Sequence, residues 1–177
     1  MFLLFHLPLS FSANRKNIFS LCHLSPDKSV NLSEHFTLGE VTRSRHTEID
    51  NIPSRVAIEN LKRVCVWLEE LRARYNQRYV LPEEEPIIIT SGYRSPELNR
   101  KVGGSPTSNH LTGCAVDIRV AGIEQALRYA VILMDYADET RQDYDELLIE
   151  RNSKGSYWLH FAVRPKDNRR KVAFLRA

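Results

Sequence analysis

Three side chains of this sequence have the types that bind a metal: His110, Asp117 and His160. Two imidazoles and one carboxylate suit zinc, whose catalytic sites use three protein ligands and leave a fourth position for water. Such an ion lowers the pKa of its bound water to about 7, so the water becomes a nucleophile at neutral pH. Spacing alone leaves another interpretation open, in which these are structural histidines held by hydrogen bonds.

The neighbouring sequence predicts the elements that would position these groups. The segment CAVDIRV alternates in polarity, which predicts a strand with Asp117 on the face opposite its apolar side chains. His110 precedes this strand in a loop of small residues, and Gly113 allows the backbone to turn back between the two. The segments YDELLIE and YWLHFAV predict a hairpin around RNSKGS, and its second strand carries His160.

The predicted hairpin also offers a general base. If the hairpin is centred on Gly155, Glu150 lies directly opposite His160 and on the same face. A carboxylate beside a metal-bound water can accept its proton. A slip of one residue would turn Glu150 to the other face, and Glu146, which shares its strand parity, is the second candidate. A solvent-facing glutamate is the alternative.

Arg94 follows a predicted buried strand, IIITS, and a glycine. A guanidinium binds a carboxylate through two parallel hydrogen bonds. Arg94 near a hydrolytic metal would therefore suit a peptide substrate with a free C-terminus. A surface salt bridge is the alternative.

The rest of the sequence predicts mainly helices. Thr37 and Glu40 have the capping-box spacing, so a short helix begins near Leu38. The longest helix has Pro53 in its first turn and one apolar stripe. That stripe comprises Ala57, Leu61, Val64, Leu68 and Leu71. Ser95 caps a short helix in SPELNRKV.

A second amphipathic helix follows the CAVDIRV strand, in the segment IEQALRYAVILMDYA. Its expected inner face comprises Ile123, Leu127, Ala130, Val131 and Met134. The order of helices and strands, ending in a hairpin, predicts an α+β domain with a small, mostly antiparallel sheet flanked by helices.

The two ends of the chain differ from its centre. Residues 1–30 lack clean periodicity, and their first 11 residues are apolar but too short to span a membrane. No Lys or Arg precedes this run, so it is a weak match to a signal peptide. We expect an extension over residues 1–30, a domain over 31–165, and a solvated basic tail over 166–177.

Composition sets broad limits. An apolar fraction of 42% and a charged fraction of 27% are typical of a soluble globular domain. The net charge of +3 is too mild to indicate a nucleic-acid surface. Cys22, Cys65 and Cys114 are odd in number and irregularly spaced, so no disulfide framework is implied. We expect a monomer that binds no nucleic acid and does not insert stably into a membrane.

The segment SGYRSPELNRKVGGSPTSNHLTGCAVDI, followed by YWLHFAV, resembles the zinc D-alanyl-D-alanine carboxypeptidase family. This group includes vancomycin-resistance dipeptidases, phage endolysins and the hedgehog signalling domain fold. The core motif, Ser-x-His-x-x-Gly-x-Ala-x-Asp, is present in full as Ser108, His110, Gly113, Ala115 and Asp117. The resemblance covers about residues 31–163 and implies the small single-domain fold of that family.

The resemblance also implies residue roles. His110, Asp117 and His160 match the ligands of one zinc ion. Arg94 matches the arginine that holds the substrate's C-terminal carboxylate. Ser108 matches a serine near the substrate, although a loop-capping hydroxyl is its alternative. The implied substrate is a peptidoglycan stem peptide, hydrolysed by a zinc-bound water.

The sequence departs from the family at one position. Many relatives place the catalytic acid three residues before the last histidine, and here that residue is Tyr157. Either Glu150 on the neighbouring strand supplies the base, or the chain binds zinc without efficient hydrolysis. Cys114 lies inside the motif, but strand alternation directs it away from Asp117.

The main functional hypothesis is therefore a zinc D-Ala-D-Ala carboxypeptidase. One alternative is an endopeptidase of the prophage endolysin type. Another is a zinc-stabilised module that binds cell wall or protein without turnover. The expected location is the cell envelope or periplasm if the N-terminus is a signal peptide, and otherwise the cytoplasm before release by lysis.

Overall fold

The computed structural model describes residues 27–79 and 83–176. The helices in these ranges are α1 (Leu38–Val41), α2 (Arg55–Arg78), α3 (Pro96–Lys101) and α4 (Ile123–Thr140). The strands are β1 (Ile89–Ser91), β2 (Ala115–Arg119), β3 (Glu146–Arg151), β4 (Tyr157–Ala162) and β5 (Lys171–Arg176). Cys22 and most of the predicted N-terminal extension lie outside the described residues. Among the described helices, none is long and apolar enough to cross a membrane.

The described strands form one sheet in the order β1-β2-β4-β3-β5. The first three pairings along this order are antiparallel, and β3 pairs with β5 in parallel. The predicted α+β fold, with a mostly antiparallel sheet flanked by helices, is confirmed.

The sheet has one apolar face and one polar face. Val116 and Ile118 of β2 and Leu159 and Phe161 of β4 are fully buried in the core. The long helices α2 and α4 contact the sheet on this side. Because side chains alternate along a strand, the residues between them lie on the opposite face. Asp117 and the even-numbered residues of β3 and β4 therefore share the polar face.

Helix α2 buries the predicted stripe, and each of its five residues is at most 3% exposed. Its N-cap is Ser54, whose hydroxyl accepts a hydrogen bond from the Ala57 amide. Pro53 therefore precedes the cap, and its predicted place in the first turn is wrong. The capping box of Thr37 and Glu40 in α1 is present as predicted.

Helix α4 forms where it was predicted, but its inner face is rotated from the expected one. Leu127 and Val131, expected to be internal, are 50% and 42% exposed. Tyr129 instead packs edge-on against Tyr75 of α2, with 4.8 Å between ring centroids. Tyr136 packs similarly against Trp67 of the same helix. The buried face comprises Ala126, Tyr129, Ala130, Ile132, Leu133, Tyr136 and Ala137. The prediction holds for Ala130, which is buried, and for Ile123 and Met134, which pack against the core. It was wrong for Leu127 and Val131, because it counted only aliphatic spacing and left out the tyrosines.

Strand β5 corrects the expected solvated terminus. Its backbone pairs with β3 from Lys171 opposite Glu146 to Arg176 opposite Arg151. The segment before it is held by Arg169, which donates two hydrogen bonds to the buried Asp145, at 2.8 and 2.7 Å. Most β5 side chains are exposed, which explains why its composition resembled a solvated tail.

We predict that Gly113→Ala destabilises the protein by roughly 2–5 kcal/mol, from left-handed strain plus overpacking. Gly113 has a φ of 73°, and an added Cβ would lie 2.5 Å from the carbonyl oxygen of Ala57. Gly103→Ala is the matched control, because Gly103 has a φ of 72° with no atom within 4 Å of an added Cβ. Urea unfolding should show a loss of only about 1–2 kcal/mol for the control. Equal losses would contradict the proposed close packing of Gly113 on α2.

Candidate metal and substrate site

The centre of the site is a cross-strand pair on the polar face of the sheet. Asp117 of β2 lies directly opposite His160 of β4. The Nδ1 atom of His160 is 2.9 Å from the Oδ1 atom of Asp117. Sheet pairing thus brings together two of the predicted ligands, which are 43 positions apart in sequence.

His110 reaches the same carboxylate from a short 3₁₀ helix, Asn109–Thr112. Ser108 caps this helix, since its hydroxyl accepts a hydrogen bond from the His110 amide at 3.3 Å. The Nδ1 atom of His110 lies 2.6 Å from the carbonyl oxygen of Gly92, so Nδ1 carries the proton that is donated there. The Nε2 atom, 3.3 Å from Oδ1 of Asp117, is then free to bind a metal.

The three predicted ligands fit a single metal ion. One donor atom from each of His110, Asp117 and His160 lies within 4.8 Å of the others. All three residues are largely buried, at 2%, 8% and 8% exposure. Tetrahedral zinc bonds of about 2.0–2.2 Å place ligand atoms roughly 3.3–3.6 Å apart. The two histidine nitrogens, at 2.9 and 3.3 Å from Oδ1 of Asp117, are already near this separation. Two imidazoles and a carboxylate are also the donor types of a catalytic zinc site.

Cys114 does not belong to this cluster. Its side chain is 2% exposed, and its Sγ atom lies 4.0 Å from the carbonyl oxygen of Thr112. Burial raises the pKa of the thiol, which disfavours the thiolate form that binds metals. Cys65, on the buried face of α2, is a small core residue as expected.

The cluster strongly favours positive charge beside Asp117. Burial by itself would raise the pKa of Asp117, but the charges and hydrogen bonds of His110 and His160 outweigh it and hold this pKa well below its usual range. Burial would likewise lower the pKa of His160, but hydrogen bonds to Asp117 and Glu146 raise it to about 9. A divalent cation supplies the positive charge that this arrangement stabilises.

Arg94 lies beside the cluster rather than on the open surface. Its Nη2 atom donates to Oδ2 of Asp117 at 2.6 Å, and its Nε atom donates to the hydroxyl of Ser91 at 2.8 Å. Its backbone amide also donates to the carbonyl oxygen of His110. Arg94 therefore orients the carboxylate that the two histidines share, and it lines the same cleft as they do.

The hairpin register differs from the predicted one. Glu150 pairs with Trp158, and Leu148 is the residue directly opposite His160. The shift is two residues, so Glu150 keeps the predicted face and becomes a diagonal neighbour of His160. Glu150 and His160 line the same cleft, which has a volume of about 380 Å³.

The turn explains this shift. The amide of Gly155 donates to the carbonyl oxygen of Asn152, which closes a four-residue turn. Gly155 has a φ of 85°, so it is the left-handed last residue of this turn and not the centre of the hairpin. The pairing of Asn152 with Ser156 then centres the hairpin on Lys154.

The two candidate bases have different surroundings. Burial raises the pKa of Glu150 above its ordinary value. The Oε2 atom of Glu146 lies 3.5 Å from Nε2 of His160, and its Oε1 atom contacts Arg169 at 3.0 Å and Lys171 at 3.2 Å. A hydrogen bond to His160 outweighs burial and lowers the pKa of Glu146 to about 2. Glu146 thus orients the His160 ring through its Nε2 atom. Glu150, with the higher pKa, is the stronger proton acceptor.

Tyr157 lies on the other face of the sheet. Three positions along a strand reverse the side-chain direction, so Tyr157 points away from His160. Its ring contacts the guanidinium of Arg151 at 5.4 Å and lies 6.2 Å from the ring of Phe174. In this chain the side chain at position 157 therefore faces away from the cluster, so a general base must come from another position of the sheet.

Sequence reasoning missed an ion-pair network behind the cluster. The side-chain Nδ2 atom of Asn109 donates to the carboxylates of Asp145 at 2.7 Å and Glu146 at 3.0 Å. Asp145, with a fully buried side chain, also binds Arg164 and Arg169. Two adjacent acids at the start of a buried strand, together with a basic C-terminal segment, were the available indication of this network.

Residues 34–135 match the family described as Peptidase M15, over more than half of the chain. The chain belongs to the M15 peptidase family. The resemblance predicted from the motif is thereby confirmed, and the chain is a metallopeptidase by family. The matched region of this M15 peptidase contains Arg94, Ser108, His110 and Asp117. The matched region ends before His160, which the pairing of β4 with β2 places beside Asp117. No curated protein matches the sequence.

We predict that His160→Ala lowers the zinc affinity of this M15 peptidase at least about 100-fold. Removing a metal ligand costs more affinity than removing a residue that only contacts a ligand, which typically costs about 10- to 100-fold. Elemental analysis after dialysis should find about one zinc per wild-type chain and little in the variant. His46→Ala is the control, because His46 contacts Glu48 at 3.2 Å and is outside the cluster. Stoichiometric zinc in a folded His160→Ala protein would refute the ligand assignment.

Proposed function

We propose that this M15 metallopeptidase is a zinc-dependent D-Ala-D-Ala carboxypeptidase that hydrolyses peptidoglycan stem peptides. The observation that carries the proposal is the cluster of His110, Asp117 and His160 in one cleft with Arg94 and Glu150. Metal ligands, a candidate base and a candidate carboxylate anchor converge there.

The proposed mechanism gives each residue a role. When bound by His110, Asp117 and His160, zinc would supply a Lewis acid and an activated water. Glu150 accepts the proton of the attacking water and passes it to the leaving amine. Its raised pKa suits this exchange better than the low pKa of Glu146.

Arg94 and Ser108 are proposed to position the substrate. Nε and Nη2 of Arg94 already bind Ser91 and Asp117, so a substrate carboxylate would approach the remaining edge of the guanidinium. The hydroxyl of Ser108 accepts a hydrogen bond from His110, which leaves its proton for a substrate oxygen. Both residues line the cleft.

We predict that Glu150→Gln retains zinc but loses about 10²–10⁴-fold in kcat, the usual contribution of a general base. The assay is digestion of defined stem pentapeptides by zinc-loaded protein, followed by mass spectrometry. Loss of one terminal alanine with wild type alone would support the carboxypeptidase and its base.

Other products would favour other functions. Cleavage inside the stem or a cross-link would keep the zinc chemistry and make the protein an endopeptidase, as in phage endolysins. No product despite one bound zinc would favour a non-catalytic binding module. Wild-type rates in Glu150→Gln would exclude Glu150 as the base and return Glu146 to consideration.

We predict that Arg94→Ala raises KM about tenfold or more for stem peptides with a free C-terminus, because a charge-assisted pair is lost. Peptides with a C-terminal amide should be affected much less. The control Arg100→Ala removes the same charge from the exposed side of α3. Zinc content must also be measured, because Arg94 contacts Asp117. An equal effect on both peptides would refute the anchor role.

A further inference from the structure

The cleft continues past the metal cluster into a second arm. Ser105, Ser108, Glu150 and His160 line both parts and so form their junction. The second part has a volume of about 500 Å³. We call it the basic arm, because its walls include Arg164, Arg169 and Lys171.

Sheet order places the basic arm and Arg94 on opposite sides of His160. Arg94 is bonded to Asp117 on β2, which adjoins β4 on one side. Strand β5, with Lys171, lies two strands from β4 on the other side. Two strand spacings correspond to about 10 Å. An extended peptide covers this distance with about three residues.

In the basic arm, the basic side chains are more exposed than the acidic side chains that they pair with. The three basic side chains are 33%, 51% and 47% exposed, while their acidic partners Asp145 and Glu146 are 0% and 15% exposed. With Glu150 at the junction, three carboxylates match the three cations, so the arm carries no excess charge overall. Because Asp145 and Glu146 are much less exposed than their basic partners, the wall that a ligand meets at the β5 end carries N–H donors.

We propose that the basic arm is a subsite for a carboxylate of the substrate, on the side of the scissile bond opposite Arg94. This inference rests on the proposed function, and it names the chemistry that selects the substrate: an acidic residue about three positions before the cleaved bond. The α-carboxyl of the γ-linked D-glutamate in a stem pentapeptide is such a group. Arg94 and the basic arm would then bind the two ends of one acidic peptide.

Lys171 is the residue that tests the proposal. Arg169 forms two hydrogen bonds with the buried Asp145, so its loss would leave a buried carboxylate without this partner. Among the described residues, the side-chain ammonium of Lys171 pairs with Glu146 alone, and Arg169 would still bind that carboxylate in the variant. Arg170→Gln is the matched control, because Arg170 binds Asp138 and Asp143 outside the cleft.

The experiment uses two stem pentapeptides that differ only at the α-carboxyl of glutamate, which is either free or amidated. Calorimetry with zinc-loaded Glu150→Gln protein measures their binding without turnover. We expect the free acid to bind roughly three- to tenfold more tightly than the amide. Adding Lys171→Gln should remove most of this preference, and adding Arg170→Gln should leave it intact.

Because calorimetry measures binding without turnover, it tests the subsite independently of the proposed hydrolysis. A preference that depends on Lys171 in a protein that never cleaves the peptides would support the subsite and refute the carboxypeptidase. Equal affinity for acid and amide, or no binding of either, would overturn the subsite even if wild type cleaves both. An equal loss of preference in both variants would also overturn it, since overall charge would then explain the effect.

Discussion

The pairing of Asp117 with His160 is the constraint on which the site depends. It is enforced from the other face of the sheet, where Val116 lies opposite Phe161 and Ile118 opposite Leu159 in the core. A slip of one residue would bury the polar pair and expose the apolar one, at a large cost in free energy. The stability of the core therefore maintains the position of two candidate metal ligands.

The remaining groups are arranged around this pair by backbone contacts and charge. His110 is oriented by the carbonyl oxygen of Gly92, and the helix that carries it is followed by Gly113, packed on the backbone of α2. Arg94 binds the outer oxygen of Asp117, and Glu146 supports His160 on its second ring nitrogen. Such outer contacts set ligand orientation in metal sites.

The C-terminal segment both completes the sheet and carries the residues of the proposed carboxylate subsite. Arg169 pairs with Asp145, and β5 covers the edge of β3. The same segment directs Lys171 towards the cleft and Glu146. One run of basic residues thus neutralises buried acids and supplies the proposed carboxylate subsite. The open basic arm is also compatible with longer substrates, which is why the cleavage products are decisive.

The sequence by itself determined the local features of this protein. Its motif identified the family, its alternation assigned Asp117 to the polar face, and its caps at Thr37 and Ser95 located helix starts. Tertiary structure decided which strands pair, the two-residue hairpin shift, the aromatic face of α4 and the pairing of β5. Short-range patterns specify faces and caps because their causes lie within a few residues. Register and pairing depend on turn geometry and on packing between distant segments, which no local pattern contains.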